Sequence, residues 1–218
     1  MKKQRYSHII WDWNGTLLND VEWCITQINR MLYKRNKRTL ANLSEYHDAF
    51  CFPIIEYYKN VGFDFNEESF EVLAQEYIEV YHSGGSGSVA LYENAEYTLK
   101  TIQSFQISQI ILSASAQSDL ERQMNPFDIR QYFNEALGIS DIYAKSKLEI
   151  GMEYLSRNHV RNGVMIGDTT HDFEVSQAMG VECILVAHGH QSKEKLMSCK
   201  VPVFDNLEEV LSYMEDSL

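Results

Sequence analysis

The apolar positions of this chain fall into two rhythms. Short unbroken runs (Ile9-Ile10-Trp11, Gln109-Ile110-Ile111-Leu112, Val164-Met165-Ile166 and Cys183-Ile184-Leu185-Val186) are each followed within a few residues by a polar or turn-forming residue. Runs of this kind read as buried strands. Between them, apolar residues recur every three or four positions, the spacing of one helix face. Behind Asp20, a candidate helix cap, Val21, Cys24, Ile25, Ile28, Met31 and Leu32 predict a helix that ends in Lys34-Arg35-Asn36-Lys37-Arg38. Asn42 with Glu45 three residues on has the form of a capping box, and predicts a helix carrying Leu43, Tyr46 and Phe50. Pro53 suits a first helical turn before Ile54, Ile55, Tyr57 and Tyr58, with Gly62 as the stop. Asn66 opens a further predicted helix, with Phe70, Leu73, Ala74, Tyr77 and Tyr81 on one face.

Ser83-Gly84-Gly85-Ser86-Gly87-Ser88 then reads as a flexible linker. Beyond it the rhythms alternate. Helices are predicted over 95–105, near 118–124 and 129–133, over 147–158, and over 172–179 with Gly180 as the stop. The run 201–204 reads as a short edge strand, where Pro202 is tolerated, and a last helix starts near Asn206. Alternating strands and helices predict an α/β fold with a doubly wound parallel sheet. On this reading residues 1–17 and 86–218 form the core, and residues 18–85 form a small helical insert after the first strand.

Composition narrows the partners. A chain of 218 residues can hold a core domain plus a small insert. Its formal charge of −12 argues against nucleic acid and anionic membranes. An anionic ligand would therefore need local cations. The basic run 34–38 ends a helix, where the macrodipole favours it, and reads as a solvated end. Cys24, Cys51, Cys183 and Cys199 show no CxxC spacing and read as free thiols of a reducing compartment. The basic start, Met1-Lys2-Lys3-Gln4-Arg5, is followed by too short an apolar run for a signal peptide or a membrane span, which implies a cytoplasmic protein.

Candidate chemistry sits where two of the strands end. Ile9-Ile10-Trp11 delivers Asp12 into the Asn14-Gly15 turn, and Val164-Met165-Ile166 delivers Asp168 into another glycine-containing turn, with Asp172 four residues on. Alone, each aspartate could simply cap a turn. Ligands of open α/β sheets, however, bind past the carboxyl ends of the strands, and carboxylates converging there suit a hard divalent cation.

Asp12-Trp13-Asn14-Gly15-Thr16 resembles the DxDGT nucleophile motif of the haloacid-dehalogenase superfamily, and Gly167-Asp168-Thr169-Thr170-His171-Asp172 resembles its GDxxxD metal motif. The likeness spans nearly the whole chain and is closest to the phosphoglycolate-phosphatase-like branch. It implies a Rossmann-like core, with the insert as a cap closing over the site. It also implies a phosphatase of a small phosphorylated metabolite, acting as a monomer or weak homodimer. Asp12 would attack phosphorus to form an aspartyl-phosphate. Mg²⁺ would sit between Asp12, the main-chain oxygen of Asn14 and Asp168, with Asp172 as a further ligand or the holder of a metal water or a lysine. Ser113 and the adjoining Ala114 would bind phosphate oxygens. A lysine is required before the metal motif; Lys145 and Lys147 both qualify, and Lys147, at the predicted helix start, is preferred. His171, His188 and His190 are not expected to bind metal, since the family uses oxygen ligands.

Asn14 departs from the family pattern, which has a second aspartate there. That acid protonates the leaving group and then activates water; an amide can do neither, and losing such help costs about 10²- to 10⁴-fold. Three readings stand open. They are a slow phosphatase, a phosphotransferase with a long-lived phosphoenzyme, and a binding protein that keeps the pocket without turnover.

Overall fold

The computed structural model describes residues 5–83, 89–139 and 146–215. The linker residues 84–88, Lys145 and the basic start at 1–4 lie outside them. In chain order the elements are β1 (His8–Trp11), β2 (Leu18–Asn19), α1 (Val21–Lys34), α2 (Leu43–Ala49), α3 (Ile54–Asn60), α4 (Phe70–His82), β3 (Ala90–Leu91), α5 (Ala95–Ser104), β4 (Ser108–Ala116), α6 (Gln117–Met124), β5 (Glu135–Ile139), α7 (Lys147–Asn158), β6 (Gly163–Gly167), α8 (Thr170–Met179), β7 (Glu182–Val186), α9 (Lys193–Met197), β8 (Val203–Phe204) and α10 (Leu207–Glu215).

Six strands form one sheet in the order β5-β4-β1-β6-β7-β8, and every pairing in it is parallel. The predicted doubly wound α/β fold is present. The apolar runs are unbroken because both faces are covered. Ile9 and Trp11 of β1 pack with α5, α6 and α10, whereas Ile10 packs with α7 and α8. Chain connections run to opposite sides of β1, so it lies at the switch point, flanked by β4 and β6. Trp11 is in register with Ile111 on one side and Ile166 on the other, so Asp12 emerges between Leu112 of β4 and Gly167 of β6.

Helices α1 to α4 gather around an apolar cluster of their own, built from Ile28, Met31, Leu32, Tyr46, Tyr57, Tyr58 and Leu73 among others. The basic run at the end of α1 is not simply solvated. Arg35 lies between Glu68 (2.7 Å) and Glu76 (2.5 Å), and Lys34 reaches Glu76 at 2.9 Å, tying α1 to α4 and to the turn before it. The short antiparallel pair β2–β3 sits where the chain leaves the sheet for these helices and returns.

Several local expectations need correction. Asn66 does not open α4; it closes a turn on Asp64, and Ser69 is the cap, its hydroxyl accepting from Val72 N–H. Residues 129–133 contain only a single 3₁₀ turn, Arg130–Tyr132. The edge strand β5 and the short helix α9 have too few apolar residues in period to be predicted. All four cysteines are free, Cys24 and Cys183 being buried. Among the described residues, no helix is long and apolar enough to cross a membrane.

Candidate active site

The site is built where β1, β4 and β6 end. Asp12 follows β1 directly, and its N–H donates to Ile166 O at 2.8 Å, so its position is tied to β6. The chain then coils tightly, with the N–H groups of Leu17 and Leu18 both donating to Trp13 O. Gly15 is required twice over: its φ is +76°, and a Cβ there would overlap the Asp168 carboxylate. Thr16 Oγ1 lies 3.1 Å from both Asp12 Oδ2 and Asp168 Oδ1, linking the two strand ends.

Lys147 is the first residue of α7, capped by the reciprocal Ser146–Glu149 box. Its buried ammonium donates to Asp12 Oδ1 at 2.5 Å and to Asp172 Oδ1 at 2.6 Å. Asp172 closes the N-terminus of α8, its Oδ2 accepting from Thr169 N–H (3.0 Å) and Thr169 Oγ1 (2.6 Å). Both oxygens of Asp172 are thus engaged, and what it visibly does is hold the lysine. Ser113 lies within β4, at a register shift between Leu112 and Ala116, with its hydroxyl accepting from Ser115 N–H at 3.1 Å. Such bulges commonly re-aim side chains at the rim of a site.

The residues singled out from the sequence come together. Asp12, Asn14, Ser113, Ala114, Lys147, Asp168 and Asp172 all line one cavity of about 340 Å³. Lys145 lies outside the described residues. The far wall comes from the α1–α4 layer, with Tyr46, Phe50, Phe52, Tyr57, Tyr77 and Tyr81 facing the strand ends.

Charge is unbalanced on the sheet side. Carboxylate oxygens of Asp12, Asp168 and Asp172 lie within 4.8 Å of one another, all buried. Burial pushes Asp12 up to about 6 against the pull of Lys147. Burial, reinforced by Asp12 and Asp172, pushes Asp168 up to about 8. Asp172 is also buried, but Lys147 holds it below the ordinary carboxylate value. An all-oxygen, buried donor set with surplus negative charge fits Mg²⁺, and Asp12, Asp168 and the main-chain oxygen of Asn14 could hold it.

A pH dependence follows. Asp12 and Asp168 hold protons more tightly in the folded chain than at the ordinary value of 3.8. Their contribution to stability is full below about pH 4 and is lost as pH rises through their folded values, about 6 and 8. Saturating Mg²⁺ is expected to raise the melting temperature by roughly 5–10 °C at pH 8 and little at pH 5. Thermal scans at the two pH values measure this, and an equal increment at both would count against a site at these carboxylates.

Asn14 is held at both ends. Ser115 Oγ donates to its Oδ1 at 2.9 Å, and its Nδ2 donates to Asp20 Oδ2 at 2.8 Å. Asp20 is the site residue that sequence reading missed. It makes no capping bond to α1. Its buried carboxylate instead accepts from Asn14, from Gly15 N–H (3.1 Å) and from Tyr81 OH (2.8 Å), and lies 3.4 Å from His190 Nε2. These partners hold Asp20 low despite its burial; burial also pulls His190 down, but Asp20 and Asp168 outweigh it and lift His190 to about 9. A lone aspartate between apolar residues and a helix carries no signal beyond capping, since its partners lie up to 170 positions away.

The histidines take separate places. His190 donates its main-chain N–H to Asp168 at 2.6 Å; its ring stacks on Phe50, with Nδ1 2.7 Å from Tyr46 OH. With Asp20 and Cys24 its ring forms a second close cluster, beside the oxygen one. His171 stacks on Phe52 and His188 on Tyr92.

The sequence pattern of the haloacid dehalogenase-like hydrolases matches residues 9–186. No curated protein matches the chain. Among solved structures, a predicted phosphatase from Clostridium acetobutylicum superposes with a TM-score of 0.82 at 18% identity, covering 97% of this chain and 99% of that one. A haloacid dehalogenase-like family hydrolase from Streptococcus pneumoniae gives 0.81 at 16% identity (96% and 99% covered). A predicted phosphoglycolate phosphatase from Haemophilus somnus 129pt gives 0.79 at 16% (96% and 98%). At these identities the likeness is one of fold.

Proposed function

Since the chain belongs to the haloacid dehalogenase-like hydrolase family, we propose that it is a Mg²⁺-dependent phosphatase of a small phosphomonoester, working through an aspartyl-phosphate on Asp12. The observation that carries this reading is the Lys147 ammonium seated on Asp12 Oδ1 at the mouth of three strands, with Ser113 and Asp168 lining the same cavity. Asp12 is the nucleophile. Its carboxylate is kept ionised and oriented by Lys147 and Thr16. Ser113 Oγ and the main chain at Ala114 receive phosphate oxygens. Asp172 fixes the lysine that faces them. Mg²⁺, held by Asp12, Asp168 and the Asn14 main chain, would supply the charge that offsets carboxylate–phosphate repulsion. Residues 18–85 act as a cap over the core formed by 1–17 and 86–218, closing the cavity against water.

Asn14 supports a second reading, a long-lived phosphoenzyme, because its amide cannot take a proton from the attacking water. One experiment tests both. Purified protein with Mg²⁺ is offered a panel of phosphomonoesters, following phosphate release and alkali-labile label on the chain. Release with little retained label supports the phosphatase; retained label with slow release supports the phosphoenzyme. Neither release nor label would overturn both.

Restoring the acid is expected to help little. In Asn14→Asp the new carboxyl would face Asp20 where the amide now donates at 2.8 Å. Two carboxyls so close share a proton, and the variant should lose about 1–3 kcal/mol at pH 7. Its turnover should be no more than slightly faster than wild type. Denaturation curves and phosphate release measure both, and a gain of 10²-fold or more would show that Asn14 alone limits turnover.

A further inference from the structure

The wall facing Asp12 is unusual for a site that must take an anion. It is made by Phe50, Phe52, Tyr57, Tyr77, Ile78 and Tyr81, and the helices α1 to α4 contribute no lysine or arginine to it. The cations of this layer lie elsewhere: Lys34, Arg35, Lys37, Arg38 and Lys59 each pair with a glutamate, and Arg30 is exposed on α1 away from the cavity lining. His82, which does line the cavity, is 2.9 Å from Asp119. Two hydroxyls of this wall are also spoken for, Tyr81 donating to Asp20 and Tyr46 lying against His190. A carboxylate pressed on this wall would lose its hydration and find no lysine or arginine there, only tyrosine hydroxyls such as those of Tyr57 and Tyr77. A flat ring would stack there.

The second observation is independent and lies on the opposite wall. The residue two after Asp12 is an amide, fixed by Ser115 and Asp20. The site therefore has no acid at that place to protonate a departing alkoxide. A phenol ionises near pH 10, about where tyrosine does, and its anion can leave unprotonated; an aliphatic alcohol is as weak an acid as water.

We propose that the leaving group of this enzyme is a neutral aromatic hydroxyl compound, so that its substrate is an aryl phosphate. This deepens the phosphatase reading and rests on it. In the first step an Asp12 carboxylate oxygen bonds to phosphorus and the phosphorus–aryl oxygen bond breaks, its electron pair leaving with the aryloxide. In the second step water bonds to phosphorus, the acyl–phosphate bond breaks to restore the Asp12 carboxylate, and the water proton passes through solvent to the aryloxide.

The test separates recognition from reactivity. With Mg²⁺ present, kcat/KM is measured for phenyl phosphates of graded phenol acidity, for alkyl phosphates and for 2-phosphoglycolate. Benzylphosphonate and phosphonoacetate, which have no leaving group, are compared as inhibitors using the best substrate. We expect phenyl esters to exceed the others at least tenfold, and benzylphosphonate to inhibit at least tenfold better than phosphonoacetate. Ile78→Arg, which sets a cation on the aromatic wall, should narrow or reverse both ratios. Preference for 2-phosphoglycolate or alkyl esters, with phosphonoacetate the better inhibitor, would overturn the aryl assignment and leave the phosphatase standing. Release from no ester, with no alkali-labile label from acetyl phosphate, would overturn both.

Discussion

Asp12→Asn is expected to lower phosphate release by on the order of 10⁴-fold or more, and to take no alkali-labile phosphate label. The substitution keeps the shape of the side chain and its bond to Thr16, but an amide is no nucleophile. Folding should not suffer. Lys147 keeps its contact with Asp172, and a buried carboxylate that burial lifts to about 6 is replaced by a neutral group. Asp12 stabilises the fold only while protonated, so the variant should match or exceed the metal-free wild type above pH 7. Phosphate release and melting temperature at pH 8 decide the matter. A variant that melts like wild type but retains more than a hundredth of its rate would remove Asp12 from the nucleophile role.

Lys147→Met should strike stability and activity together. The lysine is the buried cation between Asp12 and Asp172, at 2.5 and 2.6 Å. Removing one member of a buried charge cluster leaves the others uncompensated, at a cost of about 3–5 kcal/mol. The sign with pH is definite. Without the ammonium both carboxylates titrate higher in the folded chain, so stability falls as pH rises through those raised values and recovers on acidification. Urea denaturation at pH 5 and pH 8 should show the loss concentrated at pH 8. Turnover should drop about 10²- to 10³-fold at either pH, since a preorganised donor to the phosphoryl oxygens has gone. Lys147→Arg is not expected to rescue it, because a planar guanidinium does not fit a cavity shaped around a point charge. Wild-type stability at pH 8 would show that the carboxylates have another counter-charge.

Much of this was legible in the chain, and the reason is local. The unbroken runs ending at Asp12 and Ile166 needed no long-range information, because strands covered on both faces cannot alternate. Lys147 was legible from its place at the predicted helix start before Asp168; the Ser146–Glu149 box that fixes this start emerged only in the structure. β5 was not: its Glu135 and Gly138 suit the edge of a sheet, where apolar demand is weak. The aromatic wall was half legible. Its residues follow helical spacing, but spacing alone cannot separate the face of a helix turned to its own core from the face turned to a cavity. Asp20 was hidden altogether, since Tyr81 and His190 reach it only once the fold exists.

Asp20 joins three elements at once: the loop that shapes Asn14 and Gly15, α4 through Tyr81, and the loop after β7 through His190. If the substrate is the aryl phosphate proposed above, its two ends would be made to cooperate. A ring holding α4 against the cavity would also brace the loop at Asn14 and Gly15, and a phosphate bound beside that loop would steady α4. Inorganic phosphate has no ring and would receive only half of this reinforcement. It should leave readily once formed, making product inhibition weak and keeping the enzyme responsive at high phosphate concentrations.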